Sequence, residues 1–383
     1  MSESRFDFDT IIDRSNTASE KWDKYRGRAI IPLWVADMDF RSPPAVIEAL
    51  HERVSHGIFG YTRTPEALVE AVVAMLAGES GWGVGEEWLV WLPGLVCGLN
   101  VACRAVGEPD DGVLTLTPVY PPFMSAPPLS RRSLIKVPLR LSSGRWQWDP
   151  AELERAVTPR TRLLLLCNPH NPVGRVWSEA ELTQIAELAE RHDLVICSDE
   201  IHSGLILDED KHHIPIATLA PETARRTITL QAPSKTFNIP GLGCSFALIS
   251  DPGLRRAFRK AMGRIVPHVN ALGYTAALAA YREGEEWRRE LVAYLAANRD
   301  LVTEEINGMP GLSMAPVEAT YLAWIDARPS GIENPARFFE DAGVGLSAGA
   351  DFDAPGFVRL NFGCPRRLLA EALGRMRAAL AGG

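Results

Sequence analysis

Two stretches of this chain, Arg162–Asn168 (RLLLLCN) and Leu194–Glu200 (LVICSDE), are continuous apolar runs that end abruptly in polar residues. An alternating run marks a strand with one wet face. A continuous run marks a strand covered on both faces, as in a parallel sheet between layers of helix. Between the two lies SEAELTQIAELAERH, a helical pattern in which Ser178 and Glu181 have capping-box spacing. The same alternation starts earlier, with Trp88–Leu92 as a strand, GLVCGLNVACRAV as a helix and GVLTL as a strand before TPVYPPF. It continues with RTITLQAP and CSFALIS as further strands. Strands alternating with helices predict an α/β fold with a mostly parallel sheet wrapped by helices. Sites in such sheets collect at the carboxyl ends of the strands. That rule singles out Gly94, Tyr120, Asn171, Asp199 and Lys235, each at or just past a strand end.

The flanks read differently. The first 40 or so residues are polar and rich in turn formers, an arm with little regular structure. Two helical patterns follow, PPAVIEALHERV and PEALVEAVVAML, each opened by proline at a first turn. After about residue 252 a long helical pattern, EEWRRELVAYLAANRDLVTEEIN, precedes TYLAWID and FVRLNFG, which read as strands of a smaller sheet. The expected division is an arm over 1–45, a large domain over 46–265 and a small α/β C-terminal domain over 266–383.

Composition excludes some classes. A net charge of −8 argues against a nucleic-acid partner, which needs a basic face. The six cysteines form no CxxC, and most lie in apolar runs, so they read as buried thiols rather than disulfides or a zinc site. No group has metal-ligand spacing, and His212 and His213 in DEDKHHIP read as a solvated loop. The N-terminus lacks the regions of a signal peptide, and no apolar stretch suits a membrane span, so the expectation is a cytoplasmic protein with no membrane partner.

Taken singly, the strand-end residues have ordinary readings beside chemical ones. Lys235, in QAPSKTFNIPGLG, is a solvated charge or a Schiff-base amine, since an amine in a partly dry site loses its proton readily. Asp199 is a cap, an ion-pair member or a functional acid. Asn171, in CNPHNPVG, belongs to a tight turn, and Asn168 reads as turn only. Gly94 opens a helix whose free N–H groups suit a phosphate. Tyr120 is a buried aromatic held among prolines, and His202 alone reads as structural.

Together these segments resemble a known family. SDEIHSGL, NPHNPVG, TPVYPPF, SKTFNIPGL and FVRLNFGCPR are similar to the motifs of aminotransferase-type (fold-type I) enzymes dependent on pyridoxal 5′-phosphate. WVADMDF, GIFGYTR and TYLAWID point to the cystathionine β-lyase/cysteine C–S lyase branch. The resemblance implies that Lys235 carries the cofactor and that Asp199 pairs with its pyridine nitrogen, keeping it protonated. It implies that Asn171 and His202 hold the phenolic oxygen, that Tyr120 stacks on the ring and that amides around Gly94 and Leu95 cup the phosphate. Ser234 falls in the same cofactor site. Tyr61 would reach the phosphate and substrate of a neighbouring subunit, which implies a homodimer with shared sites. Arg359 would bind the substrate α-carboxylate.

Two positions depart from the wider pattern: Gly243 stands where many aminotransferases have a phosphate-binding arginine, and Ala232 where many have a serine. The branch implies α,β-elimination from cystathionine or another S-substituted cysteine. An aminotransferase needs the same residues. A regulatory protein retaining the fold is the alternative from another class.

Overall fold

The computed structural model describes residues 5–382. The large sheet has seven strands: β1 (Leu89–Leu92), β2 (Gly112–Thr117), β3 (Ser133–Pro138), β4 (Thr161–Cys167), β5 (Val195–Asp199), β6 (Thr227–Gln231) and β7 (Ser245–Leu248). Their spatial order is β1-β7-β6-β5-β4-β2-β3. Neighbours from β6 through β5, β4 and β2 to β3 run parallel. β7 alone is reversed, antiparallel to both β1 and β6.

The apolar run of β4 does what a doubly covered strand requires. Leu163, Leu164, Leu165 and Leu166 are all fully buried. Leu163 and Leu165 point into one core with Leu99, Phe123 and Ile228. Leu164 and Leu166 point into another with Trp177, Leu182 and Ile185. The second core includes the helix Glu179–Arg191, whose capping box between Ser178 and Glu181 is present. The first includes the helix Leu95–Ala105, which sits so close to β6 that a Cβ on Gly98 would come within 3.0 Å of Leu230. One detail differs from expectation: Pro65 caps the helix Glu66–Ser80 from outside instead of occupying its first turn.

A second sheet has four antiparallel strands, β8 (Ser313–Met314), β9 (Leu322–Asp326), β10 (Ser347–Ala348) and β11 (Phe357–Asn361), in the order β8-β9-β11-β10. The long helix Glu285–Asn307 and the C-terminal helix Arg366–Gly382 share its core. The arm is irregular but tied down. Ile31 and Pro32 pair in parallel with Val344 and Gly345, and Leu33 O accepts from Asn361 N. No helix among the described residues is long and apolar enough to cross a membrane. All six cysteines are free thiols, five of them buried and Cys97 half-buried.

Candidate active site

Parallel pairing brings several strand ends to one edge of the large sheet. Cys167 of β4 lies beside Asp199 of β5, and Asp199 beside Leu230 of β6. The polar residues that follow these ends therefore share one space, as the topology rule predicts.

The turn after β4 is braced by its own backbone. His170 N–H donates to Arg175 O at 2.8 Å, and Gly174 N–H donates to His170 O at 2.8 Å. The turn presents Asn171 from both sides: its carbonyl accepts from Tyr120 N–H at 3.1 Å, and its Oδ1 accepts from Arg359 Nη1 at 3.1 Å. Arg359, in the middle of β11, is 5 % exposed. Its Nη2 donates to Trp34 O at 2.9 Å, and its guanidinium lies 4.6 Å from the centre of the Phe352 ring. Burial lowers its proton affinity to about 10, and its Nε has no partner. An arginine with an idle donor in a closed site suits an incoming anion.

Lys235 lies half-buried in the loop after β6. Its Nζ donates to Ala36 O at 2.5 Å, and Tyr321 Oη donates to the same oxygen at 2.9 Å. Burial first, then the Arg359 charge, bring the amine down to about 8, against the pull of Asp37 and Asp199. Such an amine is partly neutral near pH 7 and therefore nucleophilic. Asp199 is pushed the other way, up to about 7, by burial first; Ile201 N–H opposes this and Glu200 adds to it. His202 is 2 % exposed and driven down to about 3, by burial and then by Lys235 and Arg359, so its ring is neutral. Its Nδ1 has no partner. Tyr120 is half-buried, its phenol raised by burial, with Arg359 opposing.

Gly94 caps the helix Leu95–Ala105 with no side-chain bond to the first N–H groups, and the space where its Cβ would lie is open. That leaves backbone donors and the positive helix end free for an anion. Gly243 has φ +59°, and a Cβ there would sit 3.1 Å from Pro93 O. The absence of an arginine is thus built into the backbone, since this conformation favours glycine. Ala232 is buried, and Ser234 is half-buried in the same turn, its carbonyl accepting from Ile239 N–H at 3.0 Å.

Tyr61 does not join this cluster within one chain. It is fully exposed, on a loop with the exposed Ile58 and Phe59, and lines an open cleft of about 1110 Å³ with Pro267–Leu272. His213 corrects the reading of its loop as solvated. Its side chain is 9 % exposed, and its Nε2 lies 2.8 Å from Oε2 of the fully buried Glu200. Ser198 Oγ at 2.9 Å and Gln231 Nε2 at 3.2 Å also donate to Glu200, so this knot braces β5 and β6 behind Asp199. His212 is exposed. Among the described residues, no group of histidine, cysteine or acid side chains is arranged to hold a metal ion.

One part of the site has no counterpart among the residues singled out from the sequence. Residues 34–38 of the arm form a strap whose carbonyls reach Arg359 and Lys235. Asn361 Nδ2 grips the strap by Val35 O and Asp37 O, both at 2.7 Å. WVADMDF and TYLAWID carry the strap and Tyr321, so the signal lay in motifs read only as marks of a branch.

The chain belongs to the aminotransferase class I and II family, whose sequence profile matches residues 28–376. It is 39% identical to cystathionine beta-lyase PatB of Bacillus subtilis (strain 168), over 97% of this chain and 99% of that protein. It superposes on the crystal structure of OvoB with a TM-score of 0.97 at 49% identity, covering 99% of this chain and 100% of that one. Cystalysin from Treponema denticola, solved with a pyridoxal 5′-phosphate cofactor, gives 0.94 at 33% identity over 98% and 99% of the two chains. The fold is accordingly fold-type I.

The residues fit pyridoxal 5′-phosphate. A buried acid held near 7 would be relieved by a cationic ring nitrogen, and an uncapped helix end can take a phosphate. The idle Nδ1 of neutral His202 and the lowered amine of Lys235 offer a hydrogen-bond partner and a nucleophile to the ring substituents.

Proposed function

We propose that this chain is a carbon–sulfur β-lyase that uses pyridoxal 5′-phosphate to eliminate thiol from cystathionine or another S-substituted L-cysteine. The observation that carries the reading is 39% identity with cystathionine beta-lyase PatB over nearly the full length, on a site whose amine, acid and guanidinium converge. When bound, the cofactor supplies an aldehyde for the substrate amine and a protonated ring that takes up the electron pair left at Cα.

The chain's own residues do the rest. Lys235 would hold the cofactor through its amine. Its free amine then removes the Cα proton as general base. Asp199 would keep the ring nitrogen protonated, Asn171 and His202 would hold the phenolic oxygen, and Tyr120 would pack on the ring. The amides at Gly94 and Leu95 would bind the phosphate, with Ser234 beside them. Arg359 fixes the α-carboxylate, so that the Cα–H bond faces Lys235. The Cβ–S bond breaks, the thiolate gains a proton, and the three-carbon fragment takes up water to give pyruvate and ammonia. The exposure of Ile58, Phe59 and Tyr61 supports a homodimer in which Tyr61 completes the partner's site.

Product analysis with a panel of cysteine thioethers tests the reading. Pyruvate, ammonia and thiol should form in equal amounts with no keto acid added. Accumulation of an aminated cofactor, with turnover only when a keto acid is supplied, would replace the lyase by an aminotransferase.

A further inference from the structure

The strap over the site is held by its carbonyls. Trp34 O accepts from Arg359 Nη2 at 2.9 Å, and Val35 O from Asn361 Nδ2 at 2.7 Å. Asp37 O accepts from Asn361 Nδ2 at 2.7 Å and from the fully buried Lys21 at 3.1 Å. Between these anchors the Ala36 carbonyl has no freedom to turn. It faces Lys235 Nζ at 2.5 Å and Tyr321 Oη at 2.9 Å. A carbonyl oxygen has two lone pairs, and here each has one donor.

Tyr321 is 1 % exposed, and burial raises its phenol far above the ordinary value, so it remains a donor throughout the working pH range. It comes from the residue just before β9, while the carbonyl comes from the arm and the amine from the loop after β6. Three separate parts of the chain meet at one oxygen. The hydroxyl donates to the carbonyl that the amine touches.

We propose that Tyr321 is a positioning residue for Lys235: its hydroxyl shares the Ala36 oxygen with the lysine amine, fixes the direction of Nζ and weakens that oxygen's hold on the amine's protons. The inference rests on Lys235 being the reacting amine. A base that must be neutral to accept the Cα proton is hindered by a strong acceptor, which favours the ammonium form. Occupying one lone pair of that acceptor moderates the effect. The charged groups facing Lys235 are Asp37 on the strap, Asp199 at the end of β5 and Arg359 on β11, with neutral His202 after β5. Tyr321→Phe keeps the ring that packs edge-on against His202 and removes only the hydroxyl.

The test reads the amine directly. The full chain, stripped of cofactor, is pulsed with acetic anhydride across about pH 6 to 10, spanning the ordinary lysine range. Acetylation of the Lys235 peptide is followed by mass spectrometry, with exposed Lys260 as internal reference. In the unaltered chain Lys235 should titrate below the ordinary lysine range, at about 8. In Tyr321→Phe the ring remains, the hydroxyl is gone and the Lys235 midpoint should rise, with labelling near pH 7.5 slowed about three- to tenfold, the order of one neutral hydrogen bond.

A fluorinated tyrosine at position 321 keeps the fold and donates more strongly, so it should move the midpoint down. An unchanged midpoint in both, or a shift of the same sign in both, overturns the proposal. Labelling does not depend on the reaction catalysed, so a lyase and an aminotransferase give the same curves. Borohydride fixing the cofactor to another lysine would count against the active-site reading separately.

Discussion

Replacing Asp199 by asparagine should make the cofactor-free chain more stable at pH 8 while removing most of its activity. Asp199 has its proton affinity raised from 3.8 to about 7, chiefly by burial. An acid raised in this way lends stability that is fully present below about pH 4 and lost as pH rises through about 7. At about 1.4 kcal/mol per pH unit, the buried carboxylate costs about 4 kcal/mol once ionised. Asparagine has the shape of the neutral acid and can still accept from Ile201 N–H as the neutral acid does. The net gain is about 4 kcal/mol at pH 8 and close to nothing at pH 4. For 383 residues at about 2.1 cal/mol/K each, that is about 5 °C in Tm.

Thermal unfolding at both pH values, with and without pyridoxal phosphate, measures it. Added cofactor should erase the advantage, because a ring cation beside the carboxylate removes the cost. Turnover should fall at least about a hundredfold, the loss of a major electrostatic contribution to the transition state. A cofactor-free variant less stable than the parent at pH 8 would show that the carboxylate is a structural anion, and the reasoning would fail.

Arg359→Lys cannot serve both Asn171 and Trp34 while gripping a carboxylate, so KM should rise about tenfold or more and kcat should fall with it; steady-state kinetics decide. Gly243→Arg, which restores a residue common in relatives, should cost about 1–2 kcal/mol in urea unfolding and give no slower loss of cofactor on dialysis, because φ is +59° there. Mixed dimers of Tyr61→Phe and Lys235→Ala chains should regain one working site in two; a fully active monomer would contradict the shared site.

The strands were legible because each has a local signature. Leu163–Leu166 alternate between two cores, and only an unbroken apolar run can do that. Once the strands were placed, topology alone put Tyr120, Asn171, Asp199 and Lys235 at one edge. Tyr321 and the strap were not legible in this way. Trp34 meets Arg359 across 325 positions through a backbone carbonyl, an atom every residue has, so no residue type announces the contact. His213 was misread because its charged neighbours describe the loop, while one side chain turns inward to Glu200. The edge strand Ser133–Pro138, with three exposed residues, two half-buried and one buried, carries no continuous run to mark it.

The single reversed strand has a consequence for the lysine. β6 ends at Gln231 on the site edge, and β7 begins at Ser245 on the same edge. A parallel β7 would have needed a crossover carrying the chain to the far side of the sheet. Antiparallel pairing instead keeps residues 232–244 above the site, closed at the base by the ladder between β6 and β7. Lys235 thus hangs from a closed span rather than from the start of a long excursion. In the proposed role, the swing of its side chain on and off the cofactor would be taken up by rotation about its own bonds, with the backbone acting as a fixed pivot. Amide exchange in β6 and β7 should accordingly stay as slow during turnover as at rest.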